Sequence, residues 1–334
     1  MNNSLHVLVT GGAGFIGSHL VDALLDRGHR VTVVDNLVNG KKRNNREAAQ
    51  NARFTFVEDS ILNSERMHEV CKGVDVVYHL ACLGVRHSLH SPFENHRVNA
   101  EGSLVVLEAA RQNGVKKFFY ISTSEIYGDI KEFPIAENGV PLPKTVYGSS
   151  KLAGENYAYS YHVCFGLDVT ITRIFNNYGP RAHYEGDAGE VIPRSIVNML
   201  YGKAPIVFGD GSVTRDFFYV KDTARALCDL IEVKGISGEI INIGTGEEVT
   251  MKSLLQELIE LMGLANEMAI DFQPDRPADV PRLWVNPAKF IGLTQFKASV
   301  TFEEGLKETI AYYRELMADQ NLIEEVKVRN WEVQ

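Results

Sequence analysis

The chain runs to 334 residues, 45% hydrophobic and 23% charged, which excludes a disordered protein and leaves room for one large or two modest domains. Its formal net charge of -9 argues against a nucleic-acid or anionic-membrane partner, though local arginines can still hold a small anion. Cys71, Cys82, Cys164 and Cys228 are scattered without a close pair, so reduced thiols in a cytoplasmic protein are expected rather than a disulfide frame, a zinc site or any other metal. No apolar run is long enough to span a bilayer, and nothing before the first strand has the pattern of a signal peptide.

In chain order, β-branched and aromatic runs at 5–10 (LHVLVT), 30–34 (RVTVV), 53–57 (RFTFV), 74–80 (VDVVYHL), 117–122 (KFFYIS) and 168–174 (DVTITRI) predict strands. Between them, 17–27, 64–72, 95–113 and 147–165 carry helical apolar spacing; in 95–113, Val98, Leu104, Val105, Leu107 and Ala109 are expected on one side. This alternation predicts right-handed βαβ units, hence an α/β fold with a doubly wound parallel sheet of the Rossmann type.

The second half is less regular. Residues 175–193 (FNNYGPRAHYEGDAGEVIP) read as a long loop, 205–220 contain a hairpin-like Gly-Asp-Gly, and 239–246 (EIINIGTG) predict another short strand. A helix over 253–263 ends at Gly263, and the tail after about 318 reads as a charged surface helix. We therefore expect a sheet domain from 1–175 and 212–246, interleaved with a smaller α/β substrate domain from 176–211 and 247–334.

Gly11, Gly14 and Gly17 lie between a strand and a helix in VLVTGGAGFIGSHL, where a pyrophosphate can rest on the helix N-terminus. Asp35 ends the next strand, 18 residues beyond Gly17, placed to accept from the adenosine ribose hydroxyls and to repel a 2′-phosphate. NAD is expected over NADP. Asp59, after the third strand, suits either the adenine amino group or a helix N-cap.

YGSSK puts Tyr147 and Lys151 four apart on one helical face. A phenol is a poor base at neutral pH, but an adjacent ammonium and a nicotinamide cation favour the phenolate, which can take a proton from an alcohol while hydride leaves the same carbon. Upstream, a core strand ends in Ser122, Thr123, Ser124 and Glu125, an unusual polar cluster for such a place.

With HLA at 79–81 and Asn99, these motifs resemble an extended short-chain dehydrogenase/reductase of the nucleotide-sugar epimerase/dehydratase group, over residue 5 to about 315. The resemblance implies NAD held by Gly11, Gly14, Phe15, Ile16, Gly17, Asp35, Asn36, Asp59, Ser60, Leu80, Ala81, Tyr147 and Lys151, with Asn99 as a supporting polar residue. It makes Tyr147 the base, Lys151 the nicotinamide-ribose anchor, and Thr123 the partner of the sugar 4-hydroxyl. A nucleotide sugar is implied at Val85, Arg86, Asn176, Val191, Phe208, Arg215 and Arg276, the arginines suiting diphosphate oxygens.

Enzymes of this group first oxidise carbon 4 to a ketone. Thr123, Ser124 and Glu125 resemble the Thr-Asp-Glu or Thr-Ser-Glu of sugar 4,6-dehydratases, which implies Glu125 as base at carbon 5 and Ser124 in the acid position. HLACLGVRHSLHSP (79–92) instead resembles 4-epimerases, and uronic-acid decarboxylases also carry Thr-Ser-Glu. Dehydratase is the first expectation, epimerase the second and decarboxylase the third, with a non-catalytic NAD sensor as the remaining class. His87 and His90 fit either the sugar or a surface loop. The resemblance also implies a homodimer through a four-helix contact of 95–113 and 147–165, where Tyr157, Tyr159 and Tyr161 lie.

Overall fold

The computed structural model describes residues 4–275 and 280–329. The chain opens with β1 (His6–Thr10), α1 (Phe15–Asp26), β2 (Arg30–Asp35), β3 (Phe54–Glu58), α2 (Ser64–Val70) and β4 (Val76–His79). Two short helices follow, α3 (Val85–His90) and α4 (Pro92–His96), then a π-helical turn (Arg97–Glu101) and α5 (Gly102–Gln112). Next come β5 (Lys117–Thr123), α6 (Val146–Phe165), β6 (Val169–Ile174), β7 (Asn176–Tyr178), α7 (Val191–Leu200), β8 (Ile206–Phe208), β9 (Thr214–Arg215), β10 (Phe217–Tyr219) and α8 (Val220–Leu230). The chain continues through β11 (Ile240–Ile243), β12 (Val249–Thr250), α9 (Met251–Leu261), β13 (Asp271–Gln273), β14 (Arg282–Leu283), α10 (Ala288–Thr294) and α11 (Phe302–Asp319).

Seven parallel strands form the main sheet in the order β11-β6-β5-β4-β1-β2-β3. Val7 of β1 lies opposite both Val31 and Val76, and Val7, Leu8 and Val9 are fully buried. Strands covered on both faces need apolar residues in succession, and that is what these runs supply. Helices α1 and α8 pack on one face, α2, α5 and α6 on the other. The strand order reverses between β1 and β4, so a crevice opens outside the carboxyl ends of the strands there. A third apolar core joins α7, α9 and α11, while Phe290 of α10 returns to the sheet core.

Four details differ from the sequence expectation. On α5 the buried residues are Gly102, Ser103, Val106, Leu107, Ala109 and Ala110, whereas Leu104 is 39% exposed. The π turn (Arg97–Glu101) interrupts the helical spacing before α5, while within α5 Leu107 and Ala109 stay buried as expected. Gly209-Asp210-Gly211 does not close a hairpin: β8 pairs with β13, while β9 sits between β12 and β14. Gly209 and Gly211, at φ +74 and +79, turn the chain between these two sheets. The long 175–193 loop breaks into β7, a 3-10 turn (Gly186–Ala188) and the start of α7. After α11 the tail holds a 3-10 turn (Ile323–Glu325) rather than a helix.

Arg173 of β6 and Glu155 of α6, each with 3% side-chain exposure, pair at 2.8 Å. Tyr127 and the Glu137 carbonyl take further Arg173 hydrogens, so this buried pair is well satisfied and locks α6 to the sheet. Among the described residues, no helix is long and apolar enough to cross a membrane, and the four cysteines are free.

Candidate active site

A cleft of about 830 Å³ opens at the carboxyl ends of β1, β2, β4 and β5 and continues between the sheet and the α7 region. Its floor is the glycine turn. Gly11 has φ +73, and a Cβ there would lie 2.8 Å from the Ala81 nitrogen; one on Gly17 would lie 2.2 Å from the Gly11 carbonyl oxygen. Only glycine fits this backbone. Gly14 is the N-cap of α1 and no side chain accepts from the first amides, which leaves a helix N-terminus for a phosphate. Phe15 and Ile16 line the same wall.

Asp35 is 8% exposed and accepts from Ala13 N at 3.0 Å and Leu37 N at 2.8 Å. Burial pushes its carboxyl pKa up, and the two backbone bonds work against that. Asn36, Asp59, Ser60, Leu80 and Ala81 line the cleft beside it. Asp59 is not the helix cap: Asn63 caps α2 by accepting from Arg66 N at 3.2 Å. Asp59 itself accepts from Ser60 N at 2.7 Å, which leads the lowering of its pKa. A glycine cradle at a helix start beside a buried carboxylate fits the pyrophosphate and ribose of NAD.

The chemical end lies where β5 meets α6. Ser122, Thr123, Glu125, Tyr147 and Lys151 all line the cleft. Thr145 caps α6 by accepting from Gly148 N, which fixes where Tyr147 enters. Tyr147 shares a hydrogen bond with Thr123. Burial holds the Tyr147 phenol well above its usual pKa, Cys82 and Glu125 push the same way, and the Thr123 bond opposes them. Lys151, 2% exposed, donates to the Ile121 carbonyl at 2.7 Å and lies 4.5 Å from the Tyr120 ring centroid.

Ser124 is 3% exposed and is not among the cleft-lining residues. The backbone bends at Thr123 into a 3-10 turn (Ser124–Tyr127), which carries Ser124 inward and brings Glu125 back to the cleft. Ser122, on β5, lines the cleft instead. Its Oγ is buried without a hydrogen-bond partner in a cleft wall, where a bound ligand is the natural partner.

Asn99 does not reach the cleft surface either. It accepts from Leu83 N at 2.8 Å and donates to the Leu83 carbonyl and to Ser150, tying the loop after β4 to α6. His87 lines the cleft, its Nδ1 without a partner, while His90 meets Asp187 at 2.5 Å.

In the other half, Val85, Arg86, Asn176, Val191, Phe208 and Arg215 line the cleft together. Asn176 Oδ1 is buried and unpartnered. Arg215 is 8% exposed and donates to the Thr214 and Val280 carbonyls. Arg276 lies outside the described residues. Three further residues of this wall carry no sequence motif: His183, Glu190 and Lys327. Desolvation raises the Glu190 carboxyl to about 7, against the pull of His183 and Arg86.

A parallel sheet with this glycine turn, buried acid and Tyr-Lys helix defines a dinucleotide-dependent oxidoreductase-type enzyme. The NAD dependent epimerase/dehydratase family model matches residues 7–244, and the chain belongs to that family. NAD is its cofactor. The chain is 37% identical over 330 residues to a UDP-N-acetyl-alpha-D-glucosaminuronate decarboxylase of Bacillus cytotoxicus, covering 93% of this chain and 98% of that one. It is 35% identical over 319 residues to a dTDP-glucose 4,6-dehydratase of Streptomyces niveus, covering 93% of each. The solved UDP-glucose 4-epimerase of Thermotoga maritima with UDP-glucose superposes with a TM-score of 0.88 at 36% identity, covering 94% of this chain and all of that one.

Proposed function

We propose that this protein is a sugar-nucleotide 4,6-dehydratase, acting on a nucleotide-diphosphate hexose through a 4-keto intermediate. The observation that carries this reading is Glu125: its carboxylate lines the same cleft as Thr123 and Tyr147, close enough to raise the Tyr147 pKa. NAD supplies the hydride acceptor and a positive ring that favours the Tyr147 phenolate. Tyr147 then takes the proton of the 4-hydroxyl, oriented by Thr123. Lys151 holds the nicotinamide ribose. Once carbon 4 is a ketone, the proton on carbon 5 is acidified. Glu125 takes it and passes a proton to the carbon 6 hydroxyl, which leaves as water. The hydride first taken from carbon 4 ends on carbon 6, with a solvent proton at carbon 5.

The second reading is a 4-epimerase, which needs rotation of the keto sugar and no second acid or base. The burial of Ser124 favours it, because that side chain is withdrawn from the position of the acid. A decarboxylase ranks third, since Glu185 and Asp187 of the 183–189 loop stand in the cleft wall, where they are unhelpful to a uronic acid. An NAD sensor without catalysis is disfavoured by the presence of both Tyr147 and Lys151 in the cleft.

We assign 1–175 and 212–246 to NAD binding, and 176–211 and 247–334 to the nucleotide sugar, with α10 returning to the sheet. For the nucleotide sugar, Asn176 and, from the 212–246 segment, Arg215 meet the diphosphate, Phe208 lies along the base, and Arg276 is the second arginine. A cytoplasmic homodimer is part of the same reading. The outward faces of α5 and α6 carry Leu104, Tyr159, Val163 and Phe165, all exposed. The test is to incubate the protein and NAD with a panel of nucleotide sugars and weigh the products. Loss of water supports the dehydratase, unchanged mass with altered retention the epimerase, and loss of carbon dioxide the decarboxylase.

A further inference from the structure

The family match ends at residue 244, yet the chain returns to the cleft from its far end. Beyond α11, Gln320 accepts from Arg43 and donates to the Tyr184 hydroxyl, and Leu322 N donates to the Tyr201 hydroxyl. Arg194 of α7, itself a cleft residue, then donates to the carbonyls of Lys327 and Val328 at 2.6 and 2.7 Å. Held at both ends in this way, the segment lays Lys327 into the cleft lining. There its ammonium meets Asp187 at 3.3 Å, and Asp187 in turn meets His90. Three chain segments far apart in sequence thus converge at one edge of the cleft.

We propose that residues 320–329 are part of the substrate site and that Lys327 is a substrate-binding residue for an anionic nucleotide sugar. This rests on the nucleotide-sugar reading above. The chemistry is simple. A diphosphate carries negative charge into the cleft, and an ammonium on a flexible stem follows it as a point charge. Asp187 holds that ammonium at the cleft edge in the free protein. The pair is only partly buried, with 43% of Lys327 exposed, so exchanging one anion for another costs little.

The test is calorimetric titration of the full-length protein, loaded with NAD, with UDP-glucose and with dTDP-glucose. Variants are Lys327→Met, Lys327→Arg and a truncation after Gln320. Lys327→Met should weaken whichever nucleotide sugar the parent binds about three- to tenfold, the size of one lost charge-assisted bond at a half-open edge. It should also flatten the salt dependence of binding, with NAD affinity unchanged. Lys327→Arg should restore most of the affinity, and the truncation should lose at least as much as Lys327→Met. Parent-like affinity and salt dependence in both Lys327→Met and the truncation would overturn the proposal while leaving the nucleotide-sugar reading intact. A lower melting temperature with unchanged affinity would equally overturn it, making the Asp187 pair merely structural. If the parent binds NAD but neither nucleotide sugar, nor any other of a wider panel, the underlying reading fails and the proposal with it.

Discussion

The buried ammonium of Lys151 donates to the main-chain carbonyl of Ile121 at 2.7 Å, one strand residue before the polar cluster begins. That bond pins α6 to β5 and holds Tyr147 beside Thr123. Lys151→Met should remove both the charge and the bond, leaving a buried carbonyl unsatisfied. We expect a loss of roughly 1–3 kcal/mol in stability, together with weaker NAD binding. Denaturant titration and NAD titration of the same variant check this; a loss of stability with parent-like NAD affinity would limit Lys151 to a structural part.

Tyr147→Phe keeps the ring and deletes the phenol. Folding and NAD affinity should stay nearly unchanged, while turnover falls by about a hundredfold or more, the scale of a lost general base. Steady-state rates with the preferred nucleotide sugar measure it. Activity within a few-fold of the parent would remove Tyr147 from proton transfer.

Asp35→Asn should weaken NAD more than NADP, because the repulsion of a 2′-phosphate disappears along with the ribose acceptor. Asp35 accepts from Ala13 N with one carboxylate oxygen and from Leu37 N with the other, so the amide can keep only one of these bonds and some loss of stability should accompany the cofactor effect. Dissociation constants for both cofactors decide this, and equal losses would place Asp35 away from the ribose.

Glu190 gives a pH prediction. Its folded pKa, near 7, lies above the ordinary carboxyl value of 4.5. The unfolded chain therefore holds fewer protons between those values, and stability falls as pH rises through the window. Glu190→Gln should be little different from the parent near pH 4.5. Above pH 7 it should be more stable by about 3 kcal/mol at most. Melting curves of the ligand-free proteins across this range would show the gap opening; a gap that is constant with pH would contradict it.

The cofactor half of the molecule was readable from sequence because its determinants are local. Gly11, Gly14, Gly17 and Asp35 act through backbone shape and strand ends, and β-branched runs that are buried on both faces have few other uses. The missed features depend on geometry that no short window contains. The π turn at Arg97–Glu101 breaks the α-helical spacing that the 95–113 window suggests, and Leu104 is exposed. The turn after Thr123 buries Ser124, while Ser122 lines the cleft. Lys327 reaches the site only because α11 and Arg194 carry the tail back to it, which no spacing rule registers.

The most direct measurement is on Glu125→Gln, which keeps shape and polarity but deletes the basic oxygen. With the preferred nucleotide sugar in heavy water, the parent should release a product lighter by one water, with deuterium at carbon 5. The variant should still oxidise carbon 4, so NADH absorbance should accumulate while loss of water and deuterium uptake stop. A parent that only interconverts 4-epimers, with Glu125→Gln doing so at near-parent rate, would contradict the dehydratase account.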